Sequence, residues 1–197
     1  LGLLTAVFCI GILVCTGMIY ASLKTIRQWH TALTPVNFVL LGLLLGALIL
    51  GFMIASQSLP TSRLVFVALG VGVIAALAKI IYFYWIGQPA GPSINTALGF
   101  TRATVRLLDV GHRSDTFHNK EFGFQVDKAK LIWLRAISII LLFVLPLLLL
   151  SGVFGAVEKS TLLIAVISAY IGVFVERWLF FAEARHVVNL YHGFQRT

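Results

Sequence analysis

The chain has 197 residues, of which 59% are hydrophobic and only 11% charged, with a mean hydropathy of +0.98. Water-soluble domains carry roughly 25% charged residues, so this composition excludes an ordinary soluble domain and indicates a bilayer. The formal net charge of +8 arises from cations that flank apolar runs without forming a basic face, which points to the membrane surface and away from nucleic acid.

Five runs are apolar enough to cross a bilayer, which takes about 20 residues each: residues 1–20, 36–55, 64–86, 131–154 and 161–182. Backbone groups in hydrocarbon must be satisfied within the segment, so all five are expected to be helices, and the alternation of a barrel is missing. The expected fold is all-α, a polytopic transmembrane helix bundle forming one domain over residues 1–197. No internal repeat is visible, which counts against an inverted-repeat transporter.

The first run holds both cysteines, Cys9 and Cys15. With no Cys-x-x-Cys pair, the chain cannot by itself hold an iron–sulfur cluster or a structural zinc, and both residues read as buried apolar thiols. The run opens inside a hydrophobic segment, without an initiator Met or a cationic flank, and is read as part of a longer polypeptide whose opening helices precede it.

Residues 15–35, CTGMIYASLKTIRQWHTALTP, leave the membrane at Tyr20 and cross an acid-free loop with Lys24, Arg27, Trp29 and His30. They re-enter at Thr34-Pro35, with Thr34 expected to cap the new helix and Pro35 to take its first position. Aromatics with one polar edge, cations and a group titrating near neutral pH suit a membrane–water boundary. A quinone headgroup wants a hydrogen-bond donor beside an aromatic wall at such a boundary, which makes Trp29, His30, Arg27 and Tyr20 candidates for binding it. An interfacial anchor is the alternative for His30.

In the second run, Gly42-x-x-x-Gly46 followed by Gly51 would allow close helix approach. Lys79 falls inside the third run, where Tyr82, Tyr84 and Trp85 mark a nearby interface. It is read as snorkelling toward that interface, or else as a buried partner and quinone-site residue.

The long connection, residues 87–130, opens with the turn sequence GQPAGPS. An interfacial helix is expected over residues 93–108, capped by Ser93, with Ile94, Ala97, Leu98, Thr101, Val105 and Leu108 on one face and Arg102 and Arg106 on the other. A polar connector, residues 109–130, follows. Lys24, Arg102, Arg106, His112 and Lys120 are candidates for docking a partner.

Pro146 in the fourth run predicts a kink whose loosened carbonyl a neighbouring helix satisfies. Glu176 and Arg177 fall late in the fifth run, with Glu183 and Arg185 beyond, and are expected to solvate as the helix emerges. Of the histidines, His30, His112, His118, His186 and His192, none is placed mid-bilayer, which argues against haem b in this chain. Nearly all cations outside the runs gather on the side of residues 15–35, the long connection and the C-terminal tail. Arg63 and Lys159 stand opposite, and the positive-inside rule makes the rich side, with loop 87–130, cytoplasmic.

The run Ile19-Tyr20-x-Ser22-x-x-Thr25-x-x-x-Trp29, then Thr34-Pro35, Gly42 and Gly46, resembles the second half of DmsC-type membrane anchors of molybdopterin oxidoreductases. Gly172, Arg177 and Phe180-Phe181 are similar to that family's last helix. His112 and Lys120-Glu121-Phe122-Gly123-Phe124 resemble its sulfite dehydrogenase branch. The resemblance implies an eight-helix anchor in a bacterial inner membrane, of which these are the last five helices, non-catalytic itself, exchanging electrons with membrane ubiquinone or menaquinone. It also implies a docked iron–sulfur subunit and a molybdopterin catalytic subunit that carry those cofactors. The histidine the family uses for quinol lies outside this chain. A cytoplasmic head would suit sulfite oxidation; a dimethyl sulfoxide reductase anchor oxidising quinol, a haem-bearing quinone oxidoreductase subunit and a small-solute transporter are the alternatives.

Overall fold

A computed structural model of the chain describes residues 1–88, 91–109, 126–153, 155–192 and 194–196. Five helices in it are long and apolar enough to span a membrane: α1 (Gly2–Ala21), α2 (Leu33–Ser56), α3 (Ser62–Gly87), α5 (Lys128–Leu150) and α6 (Lys159–Ala182). Between α3 and α5 lies the short α4 (Ile94–Leu98), and a 3-10 turn, Val187–His192, follows α6. Among the described residues there are helices and isolated bridges only.

The inner faces explain the packing. On α2 the buried residues are Thr34, Asn37, Leu41, Leu44, Leu48 and Gly51. On α3 they are Ala68, Gly72, Ala75, Lys79 and Tyr82. Both follow the alternating three- and four-residue spacing of a straight seam between helices. On α6, Ala165, Ala169 and Gly172 continue to Glu176 at four-residue intervals or fewer. Small residues let helices approach in lipid, where dispersion and not the hydrophobic effect drives association. Leu41, Leu44, Leu48, Leu142, Phe143, Leu150 and Leu162 fill the space between them.

The closest approaches come from glycines outside the expected motif. A Cβ on Gly172 would lie 2.6 Å from the Leu142 backbone nitrogen, and one on Gly17 would lie 2.5 Å from the Pro35 Cα. Gly46 meets nothing within 4 Å, while Gly42 only touches the Leu13 side chain. Helix α1 is peripheral, with Gly17 its one buried residue, so Cys9 and Cys15 are exposed on its outer face and are not the buried thiols expected.

Helix α5 contains a π turn at Ile140–Val144, just before Pro146. In that register the Leu145 N–H reaches the Ile140 carbonyl, and proline leaves the next carbonyl, Leu141, without its donor. The Ser168 hydroxyl of α6 donates to that carbonyl at 2.7 Å. The expected compensation by a neighbouring helix is present, and a π turn stands just before Pro146, the expected position of the kink.

Two local expectations change. The helix expected over 93–108 stops at Leu98. Ser93 and Thr96 form a capping box as the sequence indicates, but Gly99, at φ 74°, closes the helix in the left-handed region. Thr34 does not cap α2, which begins at Leu33; its hydroxyl donates to the Trp29 carbonyl at 2.7 Å. Pro35 is thus the third helical residue, where an N–H would still lack an intrahelical acceptor.

The corner, the segment after α3 and the tail share one end of the bundle. Val187 N–H donates to the Thr25 carbonyl at 3.0 Å, and Ile94 N–H to the Gln195 carbonyl at 3.3 Å.

Candidate functional site

Residues of the corner meet the ends of α1, α2 and α6 in an aromatic cluster. The Trp29 ring stacks on Phe180 at 5.3 Å, and its Nε1–H donates to the Phe180 carbonyl at 2.9 Å. That carbonyl belongs to the last turn of α6, where no intrahelical donor exists, so the indole fills a gap the helix end creates. Tyr20 stacks with Phe38 at 5.8 Å and meets Trp29 and Phe180 edge-on, each at 5.2 Å. Phe181 closes the group, 5.7 Å from Tyr20.

Beneath this wall lies a buried ion cluster. Lys79 is 1% and Glu176 0% exposed, and the Lys79 ammonium donates to Glu176 Oε1. Arg177 embraces the same carboxylate, Nε to Oε2 at 2.5 Å and Nη2 to Oε1 at 2.8 Å. Its guanidinium also lies over Phe38 at 4.2 Å and Phe180 at 4.8 Å, so one side chain joins the ion cluster to the aromatic wall. Counting eight residues to the end of α3 and six to the end of α6 places Lys79 and Glu176 about 12 and 9 Å deep.

The readings of Lys79 as snorkelling and of Glu176 and Arg177 as solvating are therefore overturned. The seam decides it: Ala75 and Lys79 are four apart on α3, as are Gly172 and Glu176 on α6, so both charges point inward and meet. An ion pair moved from water into low dielectric rarely gains over well-packed apolar residues, so this buried cluster is a candidate functional site.

Around the cluster, several polar atoms are unspent. Both amide atoms of Asn37, 2% exposed on α2, have no hydrogen-bond partner among the described residues. The same holds for Arg177 Nη1 and Glu183 Oε2. Tyr82, 2% exposed, donates to the Gln28 carbonyl at 3.1 Å, and Gln28 Oε1 accepts from the Arg185 N–H at 3.2 Å. At the end of α6, Glu183 pairs with Arg135 of α5, Nε to Oε1 at 2.7 Å. Burial raises the Glu183 carboxyl above its ordinary range, and Arg135 pulls it partly back.

The structure brings Tyr20 and Trp29 together and connects Lys79 to them through Arg177. It separates Arg27, which donates to the Gln88 and Trp85 carbonyls at 2.9 and 3.3 Å and lies over Trp85, finishing the C-terminus of α3. Partial burial lowers its pKa. His30 is exposed, with Nδ1 2.6 Å from the Ala21 carbonyl at the end of α1. Of the docking candidates, Lys24, Arg102 and Arg106 are exposed on the corner side, while His112 and Lys120 lie outside the described residues. Asn37 and Phe38 carried no sequence signal of their own, while Phe180 entered only through the family resemblance. Arg177 and Glu176 did carry one, in the spacing from Gly172.

A family model described as "DMSO reductase anchor subunit (DmsC)" matches residues 1–182. The chain is also similar to a sulfite dehydrogenase subunit of Allochromatium vinosum, 32% identical over 197 residues, covering 98% of this chain and 60% of the relative. It thus spans less than two thirds of that relative's length. No solved structure matches it.

Proposed function

Since the chain belongs to the DMSO reductase anchor subunit (DmsC) family, we propose that it anchors a molybdenum and iron–sulfur oxidoreductase and passes electrons from it to membrane quinone. It is a multi-pass membrane protein of an anchor family. The similarity to a sulfite dehydrogenase subunit favours sulfite oxidation, with the head docked on the corner side, cytoplasmic by charge. An iron–sulfur subunit and a molybdopterin subunit would carry the cofactors, and quinone would be the bound substrate.

One observation carries the quinone reading: an aromatic wall and a buried ion cluster with unspent donors converge at the end of the bundle where the corner lies. The residues fit a quinone headgroup. The rings of Tyr20, Trp29, Phe38 and Phe180 offer an apolar surface, and Arg177 Nη1 and Asn37 Nδ2 offer hydrogen to a carbonyl oxygen. A bound quinone supplies the two-electron acceptor; the chain's part is to orient it, exclude water and handle protons. His30, with Nδ1 donating to the Ala21 carbonyl, offers a second donor through Nε2 only when doubly protonated.

A transporter needs polar residues along its whole pathway. Here the opposite half of the seam, with Leu41, Leu44, Leu48, Ala68, Leu150 and Leu162, is apolar and buried. Purification of the tagged chain from native membranes tests the reading. Molybdenum and iron–sulfur proteins should accompany it and sulfite should reduce added quinone; a chain that comes alone, with no quinone reduced, contradicts it.

A further inference from the structure

The Glu176 carboxylate is shared between Arg177 and Lys79, and the Arg177 guanidinium keeps its charge in proteins. Lys79 is the remaining member, and a lysine ammonium has a proton it can release and regain. Along α3 its Nζ lies over Tyr82 at 4.3 Å and Phe83 at 4.9 Å. Arg135 lies over the same Phe83 ring at 5.1 Å while holding Glu183. Glu183 follows Glu176 by seven residues, on the same face and about 10 Å nearer the interface. Its Oε2 is buried without a hydrogen-bond partner among the described residues. Carboxyl and amine are thus strung from the corner face inward, and the seam beyond them is apolar.

We infer that Lys79, recharged through Glu183 from the corner face, delivers the protons of quinone reduction. The inference rests on the quinone reading above. Reduction to quinol takes two electrons, from an iron–sulfur donor that is oxidised, and two protons. In each delivery an N–H of Lys79 breaks as an O–H forms on a quinone oxygen. The neutral amine takes a proton from the Glu183 carboxyl through intervening water, and Glu183 regains one from water at the corner face. Two deliveries complete one quinol. Tyr82 on α3, Glu176 and Arg177 on α6, and Glu183 at the interface face Lys79; Arg135, Lys79 and Arg185 face Glu183. The buried residues of α2, Thr34, Asn37, Leu41, Leu44, Leu48 and Gly51, are uncharged.

The test uses the assembled complex in liposomes with a pH-sensitive dye. Lys79→Arg preserves the pair with Glu176 but cannot release a proton, and Glu183→Gln preserves shape without charge. Both should assemble and lower quinone-linked proton uptake about tenfold or more, a soluble artificial acceptor reporting separately whether electrons still leave the iron–sulfur partner. Glu183→Gln should also flatten the pH profile and remove a protonated-carboxyl band from the infrared spectrum of reduced minus oxidised complex. If both variants take up protons like wild type, the relay is wrong and the quinone site stands. If Lys79→Arg does not assemble, Glu183→Gln decides alone. A wild-type complex that reduces the artificial acceptor but no quinone overturns both readings.

Discussion

Glu176 is the residue on which the candidate site turns, because its carboxylate pairs with both Lys79, which is buried, and Arg177, which is half-buried. Removing one partner of a buried pair costs about 3–5 kcal/mol by leaving a charge uncompensated. Glu176→Gln should therefore lower the thermal midpoint of the detergent-solubilised chain more than Lys79→Met, which leaves the Glu176–Arg177 pair whole. Equal losses would show that the cluster does not share one anion. On the aromatic wall, Trp29→Phe retains the stack on Phe180 but strands its carbonyl, at a cost of about 1 kcal/mol. For His30→Ala, slower quinone reduction in an intact complex is expected, and unchanged turnover would remove His30 from the site. The residue types at the corner were legible in sequence; their partners were not, since Arg27 and His30 spend their hydrogens on helix-end carbonyls that only the folded chain brings near.

At the scale of elements, spans were legible because hydrocarbon demands length and apolarity, and Pro146 foretold its own compensation by Ser168. Which face turned inward was harder to read. Lys79 and Glu176 were misplaced because a long side chain near an aromatic belt suits snorkelling equally well until the Ala68, Gly72, Ala75 phase is followed to Lys79. The connector helix was overextended because its apolar spacing runs through Gly99, where the left-handed turn ends it. Packing yields a sharp contrast. Gly172→Ala puts a methyl against the Leu142 backbone and should cost about 1–3 kcal/mol, while Gly46→Ala, with open space around it, should be near neutral. Thermal unfolding of the two variants side by side measures it.

Across the described residues, exposed cations and hydrogen-bonded connections gather at one end of the bundle. The corner, the segment after α3 and the tail are hydrogen-bonded together there, and Lys24, Arg102 and Arg106 are exposed on it. Cysteines introduced at Arg102 and at Leu59 should be labelled from opposite faces of the membrane, Arg102 from the cytoplasm; labelling of Arg102 from outside would invert the orientation. The most direct test of the central claim is photolabelling of the assembled complex with an azido-quinone. Label should fall on peptides containing Phe38, Lys79 and Arg177, and excess natural quinone should displace it. Label confined to other proteins or other peptides, in a complex that still reduces quinone, would contradict a quinone site between these helices.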